Sequence, residues 1–343
     1  MSEFPRQDTG QQVARLTRLA RDALRSWDIE QAAIDLIKYR ENAVFSVTTR
    51  TGARYALRIH RAEYHTDAEL RSELQWIQAL AEAGINVPQV VPTASGELMV
   101  TADMGIGAGP HKVDLFEWLD GSQLGSVEAG VQGDLASIQK TYRTVGMLAG
   151  RLHNQATAWQ LPPGFSRQVW DEAGITGAQP IWGRFWELAS LSKDERKLLE
   201  KARAHVHDDL IAFGKSGQSY SLIHADFAPE NLLVNGDRIS LIDFDDAGFG
   251  WHLFEIATSL YFILGEDYFD TARDAVIEGY RSCRQLPDEQ LEFLPLFLVA
   301  RGFTYVGWVH TRSETETARE LTPMLVEMIC KLSEDYLSGD DSH

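Results

Sequence analysis

The chain has 343 residues, enough for two lobes with substantial cores, and 44% of them are hydrophobic, which is ordinary for a globular protein. Its formal net charge of −18 argues against nucleic acid or an anionic membrane as the main partner, since both need a basic face; it is compatible with a cationic small molecule, or with solubility alone. The polar N-terminus, the absence of a membrane-length apolar run, and two cysteines without zinc-site or disulfide spacing lead us to expect a cytoplasmic protein.

The beginning of the chain predicts a helix followed by antiparallel strands. Apolar residues recur at helical spacing near the N-terminus, which predicts a helix over residues 11–26 that packs on the first lobe. Two strand-type runs follow at residues 37–47 and 54–60, separated by a Thr-Gly turn at residues 51–52. We interpret these runs as three antiparallel strands, with a turn at residues 40–43.

A second helix and two extended segments are predicted next. Residues 66–69, Thr-Asp-Ala-Glu, form a capping box, in which the threonine and the glutamate each satisfy a backbone N–H of the helix start. An apolar stripe follows at helical spacing, and Gly84 is placed to end the helix. Residues 87–91 and 96–101 predict extended segments, and residues 105–110 predict a loop.

The second half of the chain predicts mostly helices. From about residue 122 the apolar spacing becomes helical, and the charged segment 192–207 offers many pairs of opposite charge four residues apart. The glycine-rich segment 247–252 predicts a loop. The remaining helices are predicted over residues 253–264, 268–284, 288–310 and 316–337.

Two motifs in this half carry the strongest functional signal: HADFAPEN at residues 224–231 and IDFDD at residues 242–246. The pattern H-x-D-x-x-x-x-N, followed about a dozen residues later by D-F-D, is the arrangement of a kinase catalytic loop and its metal-binding aspartate. Mg²⁺ prefers carboxylate and carbonyl oxygens, and an acceptor hydroxyl needs a carboxylate to orient it and take its proton. The two motifs therefore predict a phosphoryl-transfer centre.

The segment between the two motifs predicts a β-hairpin. Two strand-type runs flank the Asn-Gly pair at residues 235–236, which is the strongest short hairpin signal. A two-residue turn at this pair would place Asn231 opposite Ser240. Asn231 and Asp243 would then lie at the open end of the hairpin, with Asp226 on the loop that leads into it.

These motifs resemble those of the aminoglycoside phosphotransferase and choline kinase superfamily, most closely its branch of stress-response kinases and type II homoserine kinases. The resemblance implies that Asp226 is the catalytic base, that Asn231 is a magnesium ligand, and that Asp243 corresponds to the metal-binding aspartate of the kinase DFG motif. For Asp245 and Asp246 two interpretations stay open. In the first, one of these aspartates contacts a second metal or the acceptor. In the second, they are solvated or ion-paired turn residues.

The resemblance also assigns nucleotide-binding residues in the first lobe. In the third strand the family has A-x-K, with the alanine covering the adenine and the lysine holding the α and β phosphates. This chain has Ala56-Leu57-Arg58, so Arg58 would hold the phosphates with a geometry different from that of lysine. Glu73 matches the family's acidic partner of this cation, and Glu69, one turn earlier, is the alternative.

Two backbone segments complete the implied nucleotide site. The turn at residues 40–43 has no glycine, but its Glu-Asn pair is similar to that of the homoserine kinase branch. Backbone N–H groups of residues 41–44, helped by Asn42, would cover the phosphates; the alternative is a plain β-turn. The backbone from Phe116 to Trp118 resembles the hinge segment that recognises the adenine edge.

The fold class implied by the resemblance is α+β, with a two-lobed protein-kinase-like architecture. Residues 1–115 would form a nucleotide-binding lobe of antiparallel sheet plus helix. Residues 116–343 would form a mainly helical lobe with the catalytic hairpin and the acceptor site. Kinase-like folds also place an aspartate near the start of the helix after the hairpin, where it braces the catalytic loop; here Glu255 occupies that position, one methylene longer.

The implied reaction is the phosphorylation of a hydroxyl group by ATP with Mg²⁺, and three hypotheses remain open. The chain is a small-molecule kinase for an amino alcohol, a homoserine-like compound or an aminoglycoside-like compound; or a protein serine/threonine kinase of the stress-response type; or a nucleotide-binding pseudokinase. The intact set Asp226, Asn231 and Asp243 argues against the pseudokinase, while the departures at Arg58 and Glu255 keep it open. The lack of an activation segment ending in A-P-E favours the small-molecule kinase.

Overall fold

The structure, a computed structural model, describes residues 9–39, 42–62, 64–103, 109–126 and 130–340. The chain divides into two compact units: a first unit, Met1–Gly121 with Leu161–Ser166, and a second unit, Ser122–Gln160 with Arg167–His343. The lobe boundary between residues 115 and 116, and the roles assigned to the two lobes, stay predictions. In the described part of the chain, no helix combines the length and the apolar character needed to cross a membrane.

An antiparallel sheet of five strands, in the order β1-β2-β3-β5-β4, forms the centre of the first unit. Its strands are Ala32–Tyr39 (β1), Ala43–Thr49 (β2), Arg54–Ile59 (β3), Met99–Asp103 (β4) and Pro110–Glu117 (β5). The three strands predicted before residue 60 are confirmed, although β1 begins earlier than predicted. The extended segment predicted over residues 87–91 is not a strand of this sheet, because within it Val90 makes a single isolated bridge to Phe116.

Two helices accompany this sheet. The first, Thr9–Leu24 (α1), buries its leucine face in a core that includes Phe45 of β2, as its periodicity predicts. The second, Asp67–Glu82 (α2), begins at the predicted capping box. The Thr66 side chain accepts a hydrogen bond from the Glu69 N–H, and the Glu69 carboxylate accepts one from the Thr66 N–H. The first unit therefore has the predicted combination of an antiparallel sheet and a major helix.

The second unit is mainly helical. Its helices are Leu135–Ala158 (α3), Glu172–Thr176 (α4), Lys193–Phe213 (α5), His252–Tyr261 (α6), Phe269–Arg281 (α7), Asp288–Leu291 (α8), Leu294–Thr311 (α9) and Glu316–Asp340 (α10). The single helix predicted over residues 288–310 is divided into α8 and α9. Pro295 lies in the first turn of α9, where a proline is tolerated, whereas inside a continuous helix it would remove a hydrogen bond.

Short strands position the loops of the second unit. They are Ser122–Gln123 (β6), Gly125–Ser126 (β7), Gly130–Val131 (β8), Gln168–Trp170 (β9), Tyr220–Ile223 (β10), Leu232–Asn235 (β11), Arg238–Leu241 (β12) and Gly248–Trp251 (β13). The strands pair in the orders β10-β13-β9, β12-β11-β6 and β7-β8. The predicted hairpin is formed by β11 and β12.

The register of this hairpin differs from the prediction by two residues. Asn235 pairs with Arg238, so the turn residues are Gly236 and Asp237, not Asn235 and Gly236. Gly236 has a φ of 60°, which places the left-handed conformation at the first central position of the turn. As a result Asn231 faces Ile242, not Ser240, and the Ile242 N–H donates to the Asn231 carbonyl at 2.9 Å.

The segment 247–252, predicted as a loop, contains strand β13. Its glycines suggested a turn, but they allow close packing inside the sheet instead. A Cβ at Gly248 would lie 2.3 Å from the Gln168 carbonyl oxygen, and a Cβ at Gly250 would lie 2.4 Å from the Ile223 side chain. Glycine therefore fits this strand because neighbouring groups approach its backbone closely.

Helices α3 and α7 make a similarly close contact. A Cβ built on Gly146 of α3 would lie 2.0 Å from the Val276 carbonyl oxygen. A Cβ built on Gly279 of α7 would lie 2.0 Å from the Arg143 carbonyl oxygen. Each helix therefore presents a glycine to the backbone of the other, so neither position tolerates a side chain without movement of a helix.

This contact predicts that Gly279→Ala destabilises the protein, because the added methyl group would force the two helix backbones apart. We expect a loss of about 1–3 kcal/mol in the free energy of unfolding, the usual cost of overpacking. Gly339→Ala in α10 is the matched control, since no atom lies within 4 Å of its Cβ position. Urea unfolding followed by circular dichroism measures both variants. Equal midpoints would contradict the close packing of α3 against α7.

Candidate active site

The candidate catalytic loop joins β10 to β11 and brings two of the predicted site residues into contact. Asn231 ends a short 3₁₀ turn, Pro229–Asn231, directly before β11. Its side-chain amide nitrogen donates to the backbone carbonyl of Asp226 at 2.9 Å and to Asp226 Oδ2 at 2.7 Å. The asparagine therefore fixes one carboxylate oxygen of Asp226 and closes the loop on itself.

The third predicted residue, Asp243, lies at the same end of the hairpin. It follows Ile242, whose N–H is bonded to the Asn231 carbonyl, so Asp243 comes directly after the last pairing between the two strands. Asp243 is exposed and has a φ of 65°, a left-handed conformation that aspartate tolerates better than most residues. The structure thus brings Asp226, Asn231 and Asp243 to one place in the second unit.

Glu255 of α6 braces the catalytic loop. Its two carboxylate oxygens accept hydrogen bonds from the backbone N–H groups of His224 and Ala225, each at 2.8 Å. The side chain is fully buried. Desolvation raises its pKa, while His224 and the two backbone hydrogen bonds act in the opposite direction. The longer glutamate therefore makes the contact expected of an aspartate at this position.

Arg301 of α9 makes two contacts with the same loop, which the sequence did not predict. Its Nη2 donates to Asp226 Oδ1 at 2.6 Å, and its Nη1 donates to the Ala225 carbonyl at 2.8 Å. The guanidinium lies over the Tyr305 ring, 4.0 Å from the ring centroid. One sequence signal could have indicated this residue: Arg301 is the only arginine or lysine in the otherwise apolar helix α9, and a buried charge requires a partner.

Strand β9 and Arg167, which directly precedes it, hold the acidic loop that contains Asp243. Arg167 donates through Nε to the Ala247 carbonyl at 2.6 Å and through Nη2 to the Asp245 carbonyl at 2.5 Å. Gln168 and Trp170 side chains donate to the Asp246 carbonyl at 2.7 Å and 2.8 Å. These donors satisfy the loop's carbonyl groups, which fixes the path of the backbone.

The carboxylates of the two motifs form one electrostatic site. Desolvation raises the pKa of Asp246 well above its ordinary value, and the negative charges of Asp226, Asp245 and Asp243 raise it further, against the opposing charge of Arg301. Asp246 Oδ1 also accepts a hydrogen bond from the Trp182 indole at 3.2 Å. The site therefore has an excess of negative charge that a bound cation would relieve.

The oxygen atoms of Asn231 and Asp243 fit a magnesium ion by their chemistry. The Asn231 amide nitrogen is used by Asp226, while Asn231 Oδ1 accepts no hydrogen bond from any residue that the structure describes. Together with the exposed Asp243 carboxylate it supplies hard oxygen ligands, which Mg²⁺ prefers. In the described ranges no group of three or more histidine, cysteine or acidic side chains is arranged for a metal.

In the first unit, Arg58 pairs with Glu73, not with Glu69. Arg58 Nη2 lies 2.7 Å from Glu73 Oε1, whereas Glu69 is engaged in the capping box. Arg58 also forms a bidentate pair with Asp114, which the sequence did not predict, at 2.7 Å and 3.2 Å. Burial raises the pKa of Asp114, but the charges and hydrogen bonds of Arg58 and His60 outweigh it and lower the pKa to about 2.

The other predicted nucleotide-site residues also lie in the first unit, and their roles stay predictions. Ala56 of β3 faces Phe116 of β5 in the sheet, and Trp118 follows directly after β5. The Asn42 side-chain oxygen accepts a hydrogen bond from the Arg61 N–H at 3.1 Å. The rest of the predicted phosphate-covering turn, residues 40–41, lies outside the described residues.

The fold and the second-unit site define a kinase-like phosphotransferase. Residues 37–292 match the phosphotransferase enzyme family, and the chain belongs to this family. The solved structure of a microcompartment-associated aminopropanol kinase has 31% sequence identity to this chain and a TM-score of 0.82, and the match covers 94% of this chain and 98% of that chain. The predicted family and kinase-like fold class are therefore confirmed.

Two curated proteins extend this comparison. A homoserine kinase of Rhizobium meliloti (strain 1021) is 30% identical over 271 residues, which cover 76% of this chain and 73% of the relative. An amicoumacin kinase of Bacillus subtilis (strain 168) is 25% identical over 276 residues, which cover 78% and 76%. The chain thus belongs to a phosphotransferase family that it shares with kinases named for homoserine and amicoumacin.

The brace predicts that Glu255→Gln impairs both folding stability and turnover, because an amide offers one acceptor oxygen to two backbone donors. Leaving a buried donor unsatisfied costs about 1–3 kcal/mol, and a displaced catalytic loop should lower kcat about tenfold or more. Glu278→Gln, which removes the charge of an exposed ion pair with Arg143, is the matched control and should change neither. Thermal unfolding and steady-state assays compare the two variants; equal effects would contradict the brace.

Proposed function

We propose that the protein transfers the γ-phosphoryl group of ATP, with Mg²⁺, to the hydroxyl group of a small amine-bearing alcohol. The observation that carries this proposal is the Asp226 carboxylate, which is fixed by Asn231 on one oxygen and by Arg301 on the other. Its side chain keeps 23% exposure, so it remains accessible to an acceptor. Asp243 lies beside this pair at the end of the hairpin.

In this proposal Asp226 orients the acceptor hydroxyl and takes its proton. A carboxylate has about four lone-pair sites, so one hydrogen bond on each oxygen leaves room for the hydroxyl. Because the phosphoryl-transfer transition state is loose, the residue contributes mainly by positioning, and electrostatic stabilisation supplies much of the rate. Asn231 and Asp243 would hold Mg²⁺, which neutralises charge on the transferred phosphoryl group when it is bound.

The acceptor class is proposed from the charge of the site. Asp246 carries a raised pKa among three other carboxylates, so a neighbouring ammonium group would be stabilised there. Its Oδ1 accepts a hydrogen bond from the Trp182 indole, so the carboxylate lies beside an aromatic ring, and the Tyr305 ring lies 6.1 Å from that of Trp182. Carboxylate and aromatic faces are the groups that bind ammonium ions. The similarity to an aminopropanol kinase supports the same class.

For the nucleotide, we propose Arg58 as the cation that balances the phosphate charge. Its guanidinium is oriented by Glu73 and Asp114, both of which are fully buried. The backbone from Phe116 to Trp118 would recognise the adenine, and Ala56 would cover it, with Asn42 near the phosphates. A cytoplasmic location stays a prediction.

A transfer assay with radiolabelled ATP tests the proposed reaction. The acceptors are 1-amino-2-propanol, ethanolamine, homoserine, an aminoglycoside and a generic protein, with 1,2-propanediol as the matched alcohol that lacks the amine. We expect label on an amino alcohol only when Mg²⁺ is present, with kcat/KM at least about tenfold above the diol, equivalent to about 1.4 kcal/mol. Label on the protein alone would indicate a protein kinase. Nucleotide binding without any transfer would indicate a pseudokinase.

The role of Asp226 predicts that Asp226→Asn leaves ATP binding largely intact and lowers turnover at least about a hundredfold, as loss of a general base does. Asp237→Asn is the matched control, because this aspartate lies in the turn of the same hairpin with its side chain 86% exposed. Calorimetry measures nucleotide affinity, and steady-state kinetics measures turnover. Near-normal turnover of the Asp226 variant would exclude the residue as the base.

A further inference from the structure

We propose that Arg301 is a positioning residue, which fixes the orientation of the Asp226 carboxylate by holding the carboxylate and the preceding carbonyl at once. This inference rests on the proposed role of Asp226. Arg301 and Asp226 are 75 residues apart in the sequence, so α9 delivers the guanidinium to a loop that lies between β10 and β11.

The exposures of the two partners assign their roles. The Arg301 side chain is 0% exposed, whereas Asp226 is 23% exposed. A fully buried guanidinium does not itself meet a substrate that arrives from solvent. Burial of an unpaired charge is very costly, so the cation requires its partner, and the partner is the carboxylate at the surface of the site. The side chain through which Arg301 is hydrogen-bonded to the surface of the site is therefore Asp226.

Aromatic rings hold the guanidinium in place independently of its contacts with the loop. Its central carbon lies 4.0 Å from the centroid of Tyr305, 4.9 Å from that of Trp182 and 5.5 Å from that of Phe254. Planar guanidinium groups pack well against such rings, and a packed side chain has few alternative rotamers. Through this packed guanidinium, the rigid interior of the second unit sets the orientation of Asp226.

The backbone before Asp226 is held from two sides. Ala225 has a φ of 63°, a conformation that costs a residue with a Cβ roughly 1 kcal/mol or more. Glu255 accepts the hydrogen bond of its N–H, and Arg301 donates to its carbonyl. Arg301 Nη1 binds this carbonyl while Nη2 binds Asp226 Oδ1. The two-pronged guanidinium therefore fixes both the peptide before Asp226 and the Asp226 side chain.

A lysine at this position would keep the charge but not the fork, because an ammonium group is a single point with no planar pair of donors. Arg301→Lys therefore separates the charge from the geometry. We expect kcat to fall about tenfold to a hundredfold, the effect of a misplaced catalytic group, while KM for ATP and calorimetric nucleotide affinity stay within about twofold.

Arg203→Lys is the matched control for the loss of an arginine fork. Arg203 of α5 donates to the carbonyls of Thr176 and Gly177 at 2.6 Å and 3.0 Å, and it stacks on Trp186 at 3.8 Å. It lies in the same unit, binds two carbonyls and stacks on an aromatic ring as Arg301 does, but it is only partly buried and its hydrogen bonds go to residues away from Asp226. This variant should keep the kcat of the parent protein even if its melting temperature falls.

A double-mutant cycle with Asp226→Asn distinguishes positioning from general stability. If Arg301 acts through Asp226, Arg301→Lys should lower the residual kcat of the Asp226→Asn protein by less than about twofold. A purely structural role would reduce kcat by the same factor in both backgrounds. That result, or a parental kcat for Arg301→Lys alone, would overturn the inference. Normal turnover of Asp226→Asn would instead refute the proposed role of Asp226.

Arg301→Ala, assayed with and without added guanidinium ion, keeps the inference testable if the lysine variant does not fold. We expect guanidinium to restore part of kcat, and an equal concentration of sodium chloride to restore none. The same addition should not activate Asp226→Asn. Rescue of both variants, or of neither, would contradict a role that depends on the planar cation beside Asp226.

Discussion

A guanidinium group buried in a protein interior is tolerated only where its charge is paired, and Arg301 meets this condition through Asp226 at the edge of the site. Each member of this ion pair affects the other. The carboxylate makes an arginine acceptable inside the apolar helix α9, and the packed arginine gives the carboxylate one orientation. Together with Asn231 on the other oxygen, this pairing turns a loop aspartate into a fixed group.

The same principle extends to the rest of the site, where helices and a short strand hold loop backbone through side chains. Glu255 of α6 satisfies the N–H groups before Asp226, and Arg167, next to β9, satisfies carbonyls of the loop after Asp243. Loops carry chemistry well when a rigid scaffold fixes them. Here the scaffold holds the backbone on both sides of the motifs, and Asn231 and Arg301 each hold one oxygen of the Asp226 carboxylate.

Much of the site could be predicted from the sequence because its key residues lie in two short motifs, and Asp226, Asn231 and Asp243 do come together. The hairpin register was wrong because the Asn-Gly pair permits more than one turn position, and only the observed ladder selects it. Strand β13 was missed because its glycines serve close packing, not a turn. Contacts such as that of Arg301 join distant segments, and no local pattern specifies the partner, although a lone charge in an apolar helix marks the residue.

The account depends on the Asp226 carboxylate pointing at the acceptor hydroxyl. The most direct test is a crystal structure of the protein with Mg²⁺, a non-hydrolysable ATP analogue and 1-amino-2-propanol. The account predicts the hydroxyl oxygen within about 2.6–3.2 Å of an Asp226 oxygen, with the Arg301 and Asn231 contacts preserved. An acceptor bound with its hydroxyl away from Asp226, or an Asp226 side chain turned from it while Arg301 stays paired, would contradict the account.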